Sequence, residues 1–400
     1  MRKNLVDRLH ERFASSSLKK IHTSEEVKKW ESFLAQFPET NDCFELSYYK
    51  YLCRMYYFPL WKKILVNVLG FGAFFIELFY LAFSRKSLKK PIRELAVIER
   101  ARDIPDFSDI SPDRSIISSG MVKVIENHNE KFGFLCKEAK KYYWNNVRKH
   151  PFSFFYNYFV YMELVTHSSI LLEHNPEVTV VYINERNVAS PILTDFYNEQ
   201  GRKLYSFMHG EYTLRLILGF MRFDRYYVWD DSYIGMFSKD LRCQIKEYVV
   251  YTPRKLQKKW NLDEYVPAYY CTYYFSGEDE NTIRKIVSNL ELLSVNGLKC
   301  KLRPHPRFKL HIELLKNLLI NSDITLESVA DVSLKESLGS TQYVIGLQST
   351  VLSEAYIEGK EIVLDDVSNK EHFELLQLQK FNVFNKPHRL LSELIADLEI

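Results

Sequence analysis

The chain of 400 residues is long enough for two or three domains, if one domain takes roughly 150 residues. Its 54 basic and 51 acidic residues leave a formal charge of +3, which excludes a generally polybasic nucleic-acid coat and an acidic, solvated chain. Hydrophobic residues make up 46% of the sequence, so the chain can bury a sizeable core.

The first 100 residues predict helices, because charged and apolar residues recur at three- and four-residue spacing. The charged start leads into no apolar segment, so we expect no secretory signal and a cytoplasmic location. The six cysteines form no CxxC pair and no zinc-like spacing, which indicates free, buried thiols in a reducing compartment.

One long apolar run starts at Ile64 and continues to Phe83. About 20 residues just span the hydrocarbon of a bilayer, but Glu77 would be costly at that depth and both flanks are basic. We therefore predict peripheral contact of this run with an anionic membrane surface. A buried core helix and a true membrane span are the alternatives.

Short apolar runs begin near residue 178, after a Pro/Asp/Ser-rich connector at 103–114 and more helix-like sequence at 120–175. They alternate with helix-length polar segments, which predicts an α/β fold with doubly wound parallel sheets. We expect a helical region at 1–100, an N-terminal Rossmann-like domain at 101–255 and a C-terminal one at 256–400. The predicted strands are residues 178–183, 203–208, 225–229, 248–250, 268–275, 298–303, 323–326, 343–346 and 361–364.

Ligands of such sheets bind where the strands end, so the residues that follow each strand are the informative ones. The first such motif is His209-Gly210-Glu211, at the tip of the strand at 203–208. Gly210 permits a tight turn, and His209 or Glu211 could take a proton from a hydroxyl group. A glycine turn with a surface carboxylate is the alternative.

The second motif is Arg303-Pro304-His305-Pro306-Arg307. Two prolines fix the backbone on both sides of His305 and make a stiff loop. Arginine and protonated histidine are strong partners of phosphate, so Arg303, His305 and Arg307 are candidate phosphate ligands. A rigid turn with solvated charges is the alternative.

The third motif starts where a strand ends at Gly346 and contains Ser349, Thr350 and Glu354. Ser349 and Thr350 lie where a helix should begin, a position at which hydroxyls and free amides bind phosphate. Glu354, about one turn further on, could accept hydrogen bonds from ribose hydroxyls. We expect this motif and the second one at adjacent strand ends of one domain, forming a nucleotide-phosphate site without a glycine-rich loop.

Several common signatures are missing from the sequence, namely GxxxxGK[ST], GxGxxG, HExxH and GxSxG. Taken in order, the motifs that are present resemble those of bacterial surface-polysaccharide glycosyltransferases with two Rossmann-like domains facing a cleft, the GT-B type. The resemblance covers roughly residues 178–365. It is strongest to CMP-sugar enzymes such as the sialyltransferases of capsule and lipooligosaccharide synthesis, which carry a His-Pro and a Ser/Ser-Thr motif.

This resemblance implies that His305, Ser349 and Thr350 contact the phosphate of CMP, and that a sugar such as sialic acid or Kdo passes to a saccharide or lipid-linked acceptor. From these residues we expect an inverting enzyme without metal or cofactor, peripheral on the inner membrane, with Glu211 or His209 as base. The acidic-acidic-Gly motif of the sialyltransferases is missing, and His209-Gly210 instead resembles teichoic-acid-type transferases with CDP-linked donors. A CDP-polyol phosphotransferase, a UDP-sugar glycosyltransferase, a nucleotide-sugar epimerase and an inactive scaffold for polysaccharide assembly remain alternatives.

Overall fold

The structure is a computed structural model of the chain. It describes residues 23–83, 95–99, 122–126, 137–147, 153–172, 179–182, 185–208, 211–251, 257–258, 260–306 and 309–398. The chain forms two compact units, an N-terminal unit up to Pro253 and a C-terminal unit that starts at Arg254. The sequence places the corresponding boundary at 255/256.

The N-terminal unit is a parallel sheet with helices before and between its strands. Side chains cap several of these helices; Thr23 and Glu26, for example, form a capping box at the first one. The helices are α1 (Ser24–Ala35), α2 (Cys43–Met55), α3 (Leu60–Phe83), α4 (Lys137–Val147), α5 (Phe154–Leu172), α6 (Ser190–Glu199) and α7 (Ser232–Gly235). The strands are β1 (Leu95–Glu99), β2 (Val122–Glu126), β3 (Thr179–Tyr182), β4 (Leu204–Phe207), β5 (Arg222–Val228) and β6 (Gln244–Val250).

The C-terminal unit alternates strands and helices from β7 onwards. Its strands are β7 (Tyr269–Tyr274), β8 (Cys300–Arg303), β9 (Thr325–Leu326), β10 (Thr341–Gly346), β11 (Glu361–Leu364) and β12 (Arg389–Leu390). Its helices are α8 (Glu280–Val295), α9 (Lys309–Leu318), α10 (Leu334–Gly339), α11 (Thr350–Ile357), α12 (Lys370–Leu378) and α13 (Leu391–Ala396). Short 3-10 turns, such as Asn382–Asn385, complete the unit.

Each unit contains a six-stranded sheet, in the orders β2-β1-β3-β4-β5-β6 and β12-β11-β10-β7-β8-β9. Every pair of neighbouring strands is parallel. In the C-terminal unit, apolar clusters cover the sheet and include Tyr273 and Ile345 in one and Val344 and Leu364 in the other. The central strands β7 and β10, covered in this way, have few charged residues and are mostly apolar runs, whereas β8 includes Lys301 and Arg303.

The predicted α/β class with two doubly wound, Rossmann-like parallel sheets is confirmed, and each predicted strand corresponds to one of β3–β11. The interpretation of the region before residue 178 as helical is wrong at two places. Leu95–Glu99 and Val122–Glu126 are strands of the first sheet, and β1 lies between β2 and β3. Five cysteines are buried and unbridged, as expected, and Cys136 lies outside the described residues.

Candidate functional site

The carboxyl edge of the C-terminal sheet contains a topological switch point. From β7 the chain proceeds to β8 and β9 on one side of β7, and it later adds β10 and β11 on the other side. In open parallel sheets, the crevice outside such a switch point is where ligands bind. The loops that follow β7, β8 and β10 therefore define the candidate site.

The loop after β7 is held by Glu278, which is almost fully buried. Its carboxylate accepts hydrogen bonds from the backbone amides of Ser276 and Gly277, each at 2.9 Å, and from the Ser276 hydroxyl at 2.8 Å. The next residue, Asp279, caps α8 by accepting from the Thr282 amide at 2.9 Å. These hydrogen bonds hold the loop beside the switch point. The sequence does not predict it as part of the site, because the loop contains no familiar motif.

The loop after β8 contains His305. Pro304 is buried and His305 is half-buried, and both directly follow the end of β8, so His305 lies at the carboxyl edge of the sheet, where the second motif predicts it. Arg307 lies outside the described residues.

Arg303 lies in a buried ion cluster beneath this loop, together with Lys301 and Glu327. Its Nη1 donates to Glu327 and its Nη2 donates to the Val332 carbonyl at 3.0 Å. Arg303 is predicted as a phosphate ligand, but in the structure it pairs with the buried carboxylate of Glu327. Both terminal nitrogens already have protein acceptors, so the geometry favours a structural role for Arg303.

The ion cluster carries a net positive charge, because two cations face one carboxylate. Glu327 also accepts from the Ser337 hydroxyl at 2.5 Å. Burial tends to raise the pKa of Glu327, but the hydrogen bonds from Lys301, Ser337 and Arg303 outweigh it and hold the pKa below its usual range. The charges of these three described side chains sum to one positive charge under the loop that carries His305, which favours an anion at this edge.

The loop after β10 leads into α11. Ser349 is the N-cap of this helix, is buried, and accepts a hydrogen bond from the Val351 amide at 3.3 Å. Thr350 is exposed in the first turn and Glu354 is half-buried one turn further on. The third motif therefore has the predicted local structure, a strand end followed by a hydroxyl-capped helix N-terminus.

His305 and Ser349 follow strands of the same sheet, so their loops share its carboxyl edge. The expectation that these strands are adjacent is wrong, because β7 pairs with both β8 and β10 and lies between them. Two strand spacings separate the ends of β8 and β10 by about 10 Å. A nucleotide phosphate or diphosphate fits in such a gap, and the Ser276–Gly277 loop lies along it.

A neutral hydrogen-bonding pair lies near the switch point and was also missed. His372, on α12, makes a 3.1 Å hydrogen bond through Nε2 to Oε1 of Gln348, in the loop after β10. Burial lowers the pKa of His372, opposed by the carboxylates of Glu278 and Asp279. The imidazole and amide groups can therefore recognise sugar hydroxyls or a base edge without adding charge.

The N-terminal unit has carboxylates at the carboxyl ends of neighbouring strands. Glu211, after β4, is half-buried, and the burial of Tyr233 together with the nearby Glu211 carboxylate raises the pKa of that tyrosine. Glu185, after β3, is fully buried and accepts from the Tyr226 hydroxyl at 3.3 Å. The sequence analysis did not single out Glu185, and His209 with Gly210 lies outside the described residues.

Metal ligands are not clustered in the part of the chain that the structure describes. No group of three or more histidine, cysteine or carboxylate side chains there is placed to hold an ion. None of the described helices combines the length and the apolar character that crossing a membrane requires.

No protein-family model matches the chain, and no curated protein sequence matches it. Solved structures are similar to it at low identity. MurG from Acinetobacter baumannii is 11% identical, with a TM-score of 0.45 over 78% of this chain and 91% of that one. The UDP-GlcNAc 2-epimerase from Methanocaldococcus jannaschii is 12% identical, with a TM-score of 0.40 over 77% and 92%. The pneumococcal O-GlcNAc transferase GtfA is 11% identical, with a TM-score of 0.34, and this chain spans 57% of its length.

Proposed function

We propose that the protein is a glycosyltransferase that uses a pyrimidine-nucleotide sugar as donor and a saccharide as acceptor. The observation that carries the proposal is the switch point of the C-terminal sheet, where the His305 loop and the Ser349 cap share one edge. Both lie above or beside groups that favour an anion, namely the net-positive ion cluster and the N-terminus of α11.

In this proposal the donor phosphate lies against His305, Thr350 and the first amides of α11. Protonated imidazole, hydroxyl and amide groups stabilise the charge that builds as the nucleotide leaves, so no metal ion is required for this step. Glu354 orients the ribose. Arg303 acts as a positioning residue that fixes the start of the His305 loop, and Arg307 is a further proposed phosphate ligand.

The reaction balances with one general base. Glu211, or His209 beside it, takes the proton from an acceptor hydroxyl, whose oxygen then attacks the anomeric carbon of the donor sugar. The bond from that carbon to the donor phosphate breaks, and the nucleotide leaves with the electron pair. Attack from the opposite side inverts the anomeric centre.

The donor is proposed as a CMP-linked acidic sugar or a UDP-linked sugar. The His-Pro and Ser-Thr motifs support the cytidine donor. The acidic-acidic-Gly motif of the CMP-sialic acid enzymes is missing, however, which favours donors outside that group, such as UDP-sugars. We place the reaction in bacterial surface-polysaccharide synthesis, on the cytoplasmic side of the membrane.

The test supplies purified protein with CMP-, CDP- and UDP-linked donors, each with and without a mixture of saccharide acceptors, and measures the released nucleotide. We expect release of one nucleotide that acceptors stimulate, and a loss on the order of 10²–10³ in rate for His305→Gln. His388→Gln is the matched control, because His388 is exposed and also follows a proline, at the amino end of β12. Conversion of the donor without acceptor would indicate an epimerase, and no turnover or binding of any donor would contradict the proposal.

A further inference from the structure

Helix α3 (Leu60–Phe83) has one buried face and one exposed apolar face. The inner face packs against α5: Gly70 lies so close to Phe155 that an added Cβ would meet its Cα at 2.6 Å. Asn67 on the same face accepts a 2.7 Å hydrogen bond from the Ser153 hydroxyl. Val66 and Phe74 are buried. This packing fixes the rotation of the helix about its axis.

The outer face is apolar and exposed along the described side chains of the helix. Nine large apolar side chains lie on it, with exposures from 36% at Leu65 to 73% at Leu60: Leu60, Trp61, Ile64, Leu65, Val68, Leu69, Phe71, Phe75 and Ile76. At about 100° per residue they cover about half of the helix circumference. Their exposed area is roughly 1,000 Å², if a fully exposed large side chain presents about 200 Å². Monomeric proteins seldom expose a patch of this size, so the face has the character of an interaction surface.

The charges around this face indicate which occupant it has. Residues 60–76 contain no Asp or Glu, and Lys62 and Lys63 lie at the start of the helix. The Lys62 ammonium lies 5.5 Å from the ring of Trp61. An exposed tryptophan beside lysines, at the end of an apolar stripe, is the arrangement that anchors a helix at the headgroup level of a bilayer.

A second copy of the chain fits this face less well. In the sequence, basic residues also follow the helix, at Arg85, Lys86, Lys89 and Lys90. Because both flanks of the run are basic, a two-fold pairing of the faces brings cations near cations in either direction. An anionic surface complements the same charges.

We propose that α3 docks the protein on an anionic lipid surface and lies in the plane of the interface. The nine apolar side chains enter the boundary between headgroups and acyl chains, while the inner face stays on α5. The docking is independent of the nucleotide site, so its failure leaves the proposed reaction untouched.

The test measures binding of the full chain to vesicles of phosphatidylcholine, with and without phosphatidylglycerol, by sedimentation. We expect wild-type binding to be strongest with phosphatidylglycerol and to weaken as salt is raised. The double variant Ile64→Gln, Val68→Gln should bind vesicles at least about tenfold more weakly than the wild type, because two exposed apolar side chains no longer enter the bilayer. The matched control is Val295→Gln, Ile320→Gln, since both residues are highly exposed in the C-terminal unit.

Two further measurements distinguish insertion of α3 into the lipid from a loss of folding in the variant. Brominated lipid should quench the fluorescence of Trp61, and Trp61→Phe should remove that part of the quenching. Thermal unfolding of the double variant should match that of the wild type, because the replaced side chains are exposed. Failure of the wild type to bind vesicles, equal binding by both double variants, or a dimer that the Ile64/Val68 variant abolishes without any vesicle binding would overturn the proposal.

Discussion

Removal of the negative charge of Glu327 should destabilise the C-terminal sheet strongly. The Glu327 side chain is 4% exposed and faces Lys301 and Arg303, whose side chains are 3% and 9% exposed. The variant Glu327→Gln leaves these two cations buried without a counter-charge. Loss of one partner of a buried ion pair costs about 3–5 kcal/mol, so we expect the free energy of unfolding of this sheet to fall by that amount.

The assay is native-state hydrogen exchange at the backbone amides of β7 and β8. A loss of about 3–5 kcal/mol corresponds to exchange that is roughly 10²–10⁴ times faster. The control is Glu313→Gln on α9, because Glu313 makes only an exposed 3.5 Å pair with Lys316. We expect that control to change stability by about 0.5 kcal/mol or less. Equal exchange in the two variants would refute the argument that the cluster depends on this charge.

The sign of the pH dependence follows from the lowered pKa of Glu327. A carboxyl whose folded pKa is depressed stabilises the protein above its unfolded pKa of about 4.3, and this contribution is lost as the pH falls through the folded value. Acid should therefore weaken the protection of β8 in the wild type more than in Glu327→Gln. The triple variant Lys301→Met, Arg303→Met, Glu327→Met should recover most of the lost stability, since no unpaired charge remains.

Two further predictions concern the N-terminal unit. Gly70→Ala should destabilise it by about 1–3 kcal/mol, because the new Cβ overlaps the backbone of Phe155. Gly72→Ala should instead stabilise α3 by about 0.5–1 kcal/mol, because no atom lies within 4 Å of the new Cβ. Urea unfolding measures both changes. Lys50 is fully buried, donates to two backbone carbonyls, and has a pKa lowered to about 8 by burial. Because the unfolded chain binds this proton more tightly, the stability of the wild type relative to Lys50→Met should rise by about 1 kcal/mol from pH 7 to pH 9, and an unchanged difference would contradict the assignment.

The strands that the sequence predicts correctly contain apolar runs without helical spacing, some of them short. Tyr269–Tyr274 and Thr341–Gly346 are buried central strands, so their sequences lack the spacing of a helix. Leu95–Glu99 and Val122–Glu126 are five-residue runs among charged residues, which periodicity cannot separate from one turn of an amphipathic helix. The two-residue strand Arg389–Leu390 starts with a charged residue and leads directly into a helix, so no separate apolar run marks it.

The local structure of each site motif could be predicted from the sequence, but the arrangement of the motifs in space could not. A strand that ends at Gly346 followed by Ser349 predicts a capped helix, and the structure has one. Strand order is a tertiary property, so the position of β7 between β8 and β10 could not be derived from the motifs. The same holds for Arg303, because its partner Glu327 lies 24 residues further along the chain. An arginine at a strand end has the same sequence signature whether it binds a phosphate or a buried carboxylate.

The central claim is that the carboxyl edge of the C-terminal sheet binds a pyrimidine nucleotide. Calorimetric titration of the full chain with CMP, CDP and UDP tests it most directly, with His305→Gln, Thr350→Ala and the control His388→Gln. We expect one-to-one binding of at least one nucleotide, weakened about tenfold by each of the first two substitutions and unchanged by the third. Binding that all three variants retain equally, or no binding by the wild type, would contradict it.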